Sequence, residues 1–268
     1  RRLAADAKRR GIKVVLDGVF NHMGRNAPIF REAMANPKNP YRDWFAIGPQ
    51  YEGGARVWTG FQNHPELNLE NPAVRRHLYA SKDSVLRSWL RDGADGWRLD
   101  TAYAFGYRFL REITAAAHQE KPGSLIVGEI VNYPDRWLRS TDAVMNFTLR
   151  MLVLGLASGE IAPATAARMT DRLVRDAGIG PLLKSWMVID NHDIPRIATQ
   201  FPDTAQRRRL SRMLLSHCRL GVIMVSDLPP HAMATALIPL RDAIVEGPWL
   251  NRDLLMLPLA GASSLGGQ

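Results

Sequence analysis

Residues 95–130 read DGWRLDTAYAFGYRFLREITAAAHQEKPGSLIVGEI, and the order of structure they imply decides the fold. Asp95–Asp100 and Ser124–Ile130 are short runs with strand character. Between them, residues 107–120 carry helical spacing and stop at Pro122-Gly123. A strand, a crossover helix and a second strand make a parallel βαβ unit. The same alternation continues in both directions. Upstream, a helix in residues 1–10 stops at Gly11, and Ile12–Asp17 is a β-branched strand. Asn71 as N-cap and Pro72 at the first position open a helix that runs to Gly93. Its apolar face is Val74, Leu78, Val85, Leu86, Trp89 and Leu90. Downstream come a weaker strand at Asp142–Phe147, a helix near 163–177 ended by Gly178, and a strand at Ser185–Asp190. A helix at 204–217 and a last strand near Gly221–Val225 complete six strand–helix units. Residues 23–70 are rich in Pro and Gly and weakly periodic, which predicts an inserted loop domain standing over a site.

Bulk properties narrow the function classes. The 268 residues suffice for one large α/β domain, and 46% hydrophobic with 23% charged residues marks a globular chain. No run of eighteen apolar residues appears, so no membrane partner is expected. Cys218 is the only cysteine, which excludes a disulfide framework and any multi-cysteine metal site. The net charge of +9 invites a nucleic-acid reading. The basic residues are nevertheless spread out, and Arg207-Arg208-Arg209 lies in a helix-like stretch without interleaved aromatics. Nucleic acid is therefore not expected as a partner. Residues 1–10 read as mid-helix rather than as a leader, so the sequence is expected to begin inside a domain, and its compartment stays open.

Four strand ends carry polar groups that packing does not require: Asp17 with Asn21-His22, Arg98 with Asp100, Glu129, and Asn191-His192-Asp193. In a parallel barrel all C-terminal strand ends open on one face, so these groups are predicted to converge. Carboxylates, imidazoles and a guanidinium in one mouth suit glycoside hydrolysis, where one carboxylate attacks and a second, protonated, donates to the leaving oxygen. Adjacent strands are spaced by about 5 Å, which matches the roughly 5–5.5 Å between carboxyl groups in retaining enzymes. Arg98 points to the same side of its strand as Asp100 and favours its ionised form, whereas an apolar, like-charged setting raises Glu129. Each residue also has a plainer role: Asp17 as a strand-end cap, Arg98 and Asp100 as a surface ion pair. A divalent metal on Asp17, His22, His192 and Asp193 is the competing chemistry, and Arg98 beside the carboxylates opposes it.

Asp17-Gly-Val-Phe-Asn21-His22, Gly96-Trp-Arg98-Leu-Asp100, Val-Gly-Glu129-Ile and Asp190-Asn191-His192-Asp193 resemble, in order, the four sequence regions of the α-amylase superfamily. His64-Pro65-Glu66-Leu67-Asn68 resembles its fifth region. Over residues 1–217 the resemblance implies an incomplete (β/α)8 barrel, about strands 3–8, with 23–70 inserted after the first strand present. It implies Asp100 as nucleophile, Glu129 as general acid/base and Asp193 as transition-state stabiliser. Asp17, His22, Arg98 and His192 would bind the sugar. No cofactor is required by that chemistry, and calcium is implied at the position matching Asn21. The first and third regions look most like the cyclomaltodextrinase, neopullulanase and maltogenic amylase branch. Thr101-Ala102-Tyr103-Ala104 stands where typical α-amylases have a Lys-His pair. Short malto-oligosaccharides or cyclodextrins are thus the expected substrates.

Beyond His217 the resemblance stops, and Gly221–Asp227 leads to Pro229-Pro230 rather than to the family's Tyr-Gly-Asp/Glu motif. The expectation is a frameshift or a fragmentary gene near residue 218, leaving 218–268 as an atypical tail. With two strands preceding residue 1, the strands at 12–16 and 221–226 are expected to be open edges, and the chain to be marginal and aggregation-prone. A transglycosylase or isomerase shares the same chemistry and differs in its acceptor. A carbohydrate-binding fragment without activity is the reading from outside catalysis.

Overall fold

The computed structural model describes residues 1–203, 205, 223–224 and 254–257. In chain order the elements are α1 (Arg2–Arg9), β1 (Lys13–Gly18), α2 (Pro28–Ala35), α3 (Pro72–Arg75), α4 (Val85–Arg91) and β2 (Gly96–Leu99). They continue with α5 (Gly106–Glu120), β3 (Leu125–Ile130), β4 (Ala143–Asn146), α6 (Phe147–Ser158) and α7 (Pro163–Ala177). Last come α8 (Ile179–Lys184), α9 (Ile197–Gln200), β5 (Ile223–Met224) and β6 (Leu254–Leu257). The strands form one sheet in the order β4-β3-β2-β1-β6-β5, every pair parallel. The architecture is α/β, an incomplete (β/α)8 barrel, as expected.

Alternation along each strand sorts the side chains onto two faces. Val14 and Leu16 of β1, Trp97 and Leu99 of β2, Ile126 and Ile130 of β3, and Val144 of β4 join the large core under the helices. The intervening Val15, Val127, Ala143 and Met145 form a second cluster with Trp186 and Val188 on the inner face. Burial on both faces is why these strands read as near-continuous apolar runs. Asp17, Arg98 and Glu129 share the inner parity, so the polar groups stand above an apolar plug. At the opposite ends, carboxylates secure the strand starts. Asp95 Oδ2 accepts from Val14 N (2.9 Å), and Asp142 Oδ2 accepts from Ile126 N (2.8 Å).

Several sequence expectations are corrected. Ser185–Asp190 is not a full strand but a single parallel bridge, Met145 to Trp186, with Trp186 N donating to Val144 O and Asn146 N to Trp186 O. The helix expected from 71 to 93 is broken. After α3 comes one wide turn over Arg76–Ala80, and Ser81 leaves the helix at ψ 157 before α4 restarts past Ser84. Residues 147–158, with no helix expected, form α6, capped by Asn146 Oδ1 accepting from Leu149 N. The 23–70 segment holds α2 and antiparallel bridges, and Phe30, Ala33, Phe45 and Leu67 bury in the same core as the sheet. The strand at 12–16 is not an open edge, because β6 pairs with it from Lys13–Leu254 to Leu16–Leu257. The strand at 221–226 survives as β5, paired on β6. The helix at 204–217 and the rest of the tail lie outside the described residues.

Candidate active site

Strand register builds the site. Asp17 of β1, Arg98 of β2 and Val127 of β3 are Cα partners at one level of the sheet. Asp100 and Glu129 stand two residues further along their strands, one layer closer to the mouth and on the same face. Arg98 points up into that layer. Its side chain is fully buried, and Nη1 donates to Asp17 Oδ1 at 2.7 Å and to Asp100 Oδ1 at 2.9 Å. Nη2 lies 2.7 Å from Glu129 Oε1 as an ion pair, with its N–H bonds off the line of a hydrogen bond. One guanidinium thus holds three carboxyl groups. Burial works against its charge, but Asp17, Glu129 and Asp100 outweigh that and keep it more firmly protonated than a free arginine.

The three partners are not equivalent. Burial pushes the Glu129 carboxyl above the usual glutamate range, against Arg98 and the Thr101 N–H, and the charges of Asp100 and Asp193 push the same way. Thr101 N donates to Glu129 Oε2 at 2.9 Å. Burial also raises Asp17, although Arg98 pulls it down by charge and hydrogen bond. Glu129 is therefore suited to carrying a proton.

His22 follows β1 and is held by pairing with the inserted segment, where His22 bridges Glu66 and Met23 N donates to Pro65 O. It is buried, stacks on Trp58 at 5.5 Å, and meets His64 edge-on at 4.8 Å. Burial lowers its pKa against the pull of Asp100, with His64 adding to the lowering, so the imidazole is neutral at pH 7. His64 Nδ1 is buried without a hydrogen-bond partner among the described residues. In the sequence His64 stands out only within its motif, and Trp58 lies outside every motif. The aromatic spacing Trp58, Phe61, His64 in an otherwise aperiodic loop was the available signal. Tyr103 also belongs to the site, for Glu129 and Asp100 add to burial in raising its hydroxyl pKa.

Asn191, His192 and Asp193 sit past the Trp186 bridge. Asn191 is buried and its Oδ1 accepts from Asp193 N at 3.1 Å. The side chains of His192 and Asp193 are 41% and 59% exposed and face each other at 3.4 Å. Asp193 acts on Glu129, and His192 on Asp17, through charge rather than contact. All seven expected catalytic and sugar-binding residues therefore share one mouth, with Asp17, Arg98, Asp100 and Glu129 in contact. The calcium expectation rests on Asn21. Calcium takes six to eight oxygens. Asn21 turns its side-chain nitrogen to His22 Nδ1 at 3.4 Å, and its backbone carbonyl accepts from Leu67 N. No group of three or more His, Cys, Asp or Glu side chains suited to a metal gathers among the described residues.

A parallel barrel mouth with paired carboxylates defines a catalytic class, and comparison with known proteins agrees. The alpha-amylase catalytic domain model matches residues 1–225, and the chain belongs to that family. Neopullulanase 2 of Thermoactinomyces vulgaris is 34% identical over 273 residues, covering 95% of this chain and 45% of that protein. A cyclomaltodextrinase of a Bacillus species is 33% identical over 215 residues, covering 75% and 38%. Among solved structures, the ligand-free cyclic α-maltosyl-(1→6)-maltose hydrolase of Arthrobacter globiformis aligns with a TM-score of 0.74 at 31% identity, over 80% of this chain and 50% of that one. The chain thus spans half or less of the length of these relatives.

Proposed function

We propose that this site hydrolyses α-1,4-glucosidic bonds, and α-1,6 bonds as a second specificity, in malto-oligosaccharides or cyclodextrins with retention of configuration. The observation that carries the proposal is the buried Arg98 fork, which holds Asp100 and Glu129 on neighbouring nitrogens while burial keeps Glu129 ready to carry a proton. Two carboxyl groups on one fork belong with the close spacing of retaining rather than inverting enzymes. In this mechanism Asp100 attacks the anomeric carbon as Glu129 passes its proton to the departing oxygen, giving a glycosyl-enzyme ester and a free sugar hydroxyl. Glu129 then takes a proton from water, which attacks the same carbon and releases Asp100. Asp193, His192, neutral His22 and Asp17 grip sugar hydroxyls in the reacting ring. The named activities of the relatives support a maltosyl substrate class. Incubation with β-cyclodextrin and maltoheptaose, with Asp100→Asn as control, tests the reading. Sugar release lost in the variant is the expected result. Release that persists in the variant, or faster cleavage of long starch chains than of cyclodextrin, counts against it. Transfer to sugar acceptors rather than water in the same assay identifies a transglycosylase.

A further inference from the structure

Thr101 and Thr59 are the two non-glycine residues with positive φ among the described residues. Thr101 sits at φ 43, ψ 41, a conformation that a β-branched side chain disfavours and that surrounding structure must impose. It directly follows Asp100, whose own N–H stays in register with β1 by donating to Gly18 O. The chain therefore leaves the sheet between Asp100 and Thr101. The acceptor that Thr101 N finds is a side chain, Glu129 Oε2, at 2.9 Å. The neighbouring strand makes room for this turn. A Cβ placed on Gly128 would stand 3.2 Å from Ala102 Cβ and 3.1 Å from Ile130 Cγ1, closer than ordinary packing. The Thr101 hydroxyl, by contrast, is buried without a partner among the described residues, so the protein uses the backbone of this residue and not its side-chain oxygen.

We propose that Thr101 is a positioning residue: its left-handed backbone aims the amide N–H at Glu129 and fixes that carboxyl group beside Asp100. This rests on the reading of Glu129 as the acid/base. With Oε1 against Arg98 and Oε2 against Thr101, the carboxyl plane is held at both oxygens. The charged and titratable groups acting on Glu129 are Arg98, Asp100 and Asp193, and Tyr103 responds to it in turn. Arg98 and the Thr101 N–H favour the ionised form, against burial and the two aspartates. Thr101 thus keeps a buried acid able to release its proton.

The test follows the Glu129 carboxyl by NMR titration of carboxyl-labelled glutamate in the full chain, its signal assigned by loss in Glu129→Gln. Replacing the Thr101 amide by an ester exchanges the N–H for an oxygen and keeps the side chain, and the Glu129 titration should rise by about one pH unit. Thr101→Gly and Thr101→Asn keep the N–H, tolerate the left-handed backbone, and should leave the titration in place. In the unaltered protein the Thr101 amide shift should titrate together with Glu129, and this reading stands even if the ester chain fails to fold. An unmoved titration in the ester protein, a glycine shift as large as the ester's, or a Thr101 amide blind to Glu129 overturns the proposal. These titrations need no glucan. Absence of sugar release alongside a coupled amide therefore removes the enzymatic reading and leaves the positioning intact.

Discussion

Replacing Arg98 with methionine would leave Asp17, Asp100 and Glu129 crowded with no buried cation between them. Removing one partner of a buried ionic cluster costs about 3–5 kcal/mol, so the urea midpoint of Arg98→Met should fall sharply at pH 7. A midpoint within error of the parent would show that solvent, not Arg98, screens these groups. Glu129 makes the opposite prediction. Its pKa is raised on folding, so its favourable contribution is complete below the unfolded value near 4.5 and is lost as pH rises through the folded one. Glu129→Gln should therefore stabilise the protein at pH 7, with the gain fading toward pH 4, as thermal melts across that range would record. A gain that grew on acidification would reverse the sign. At this scale much was legible, because Asp17, Arg98, Asp100 and Glu129 stand at strand ends where apolar packing gives no reason for charge. Thr101 was not legible, since nothing in Leu99-Asp100-Thr101-Ala102 announces a left-handed backbone. Trp58 was not either, since its partner His22 lies far away in sequence.

Between elements, the reading of the sheet succeeded where alternation was local and failed where pairing was distant. β1, β2, β3 and β4 follow from short apolar runs, and the helix of residues 107–120 from its spacing and its Pro-Gly stop. The break at Ser81–Ser84 was hidden by an apolar face that stays in phase on both sides of it, from Leu78 to Val85. β6 was hidden for a different reason. Leu254-Leu-Met-Leu257 carries no local mark of its partner, which lies near the other end of the sequence. That pairing removes an exposed edge that would otherwise template aggregation. Leu255 is paired with Val14 on one side and Ile223 on the other, so Leu255→Pro strips a donor from the middle of the sheet. Light scattering at a fixed concentration should rise in that variant, and its stability should drop by about 1–3 kcal/mol. Unchanged scattering and an unchanged midpoint would mean that β1 needs no cover from the tail.

For the molecule as a whole, the parallel sheet explains why residues as distant as Asp17 and Glu129 share one guanidinium. β1, β2 and β3 bring Asp17, Arg98 and Glu129 to one face, and the apolar cluster of Val15, Val127, Met145 and Trp186 closes the interior beneath them. The proposed chemistry makes Asp100 the nucleophile and Glu129 the acid/base. α-Maltosyl fluoride tests that pairing most directly, because fluoride departs without a proton from Glu129. In the Glu129→Gln protein the first step should proceed and the second should stall, so intact mass followed by peptide mapping should find a maltosyl ester on Asp100. No adduct, or an adduct on any other residue, would contradict the assignment.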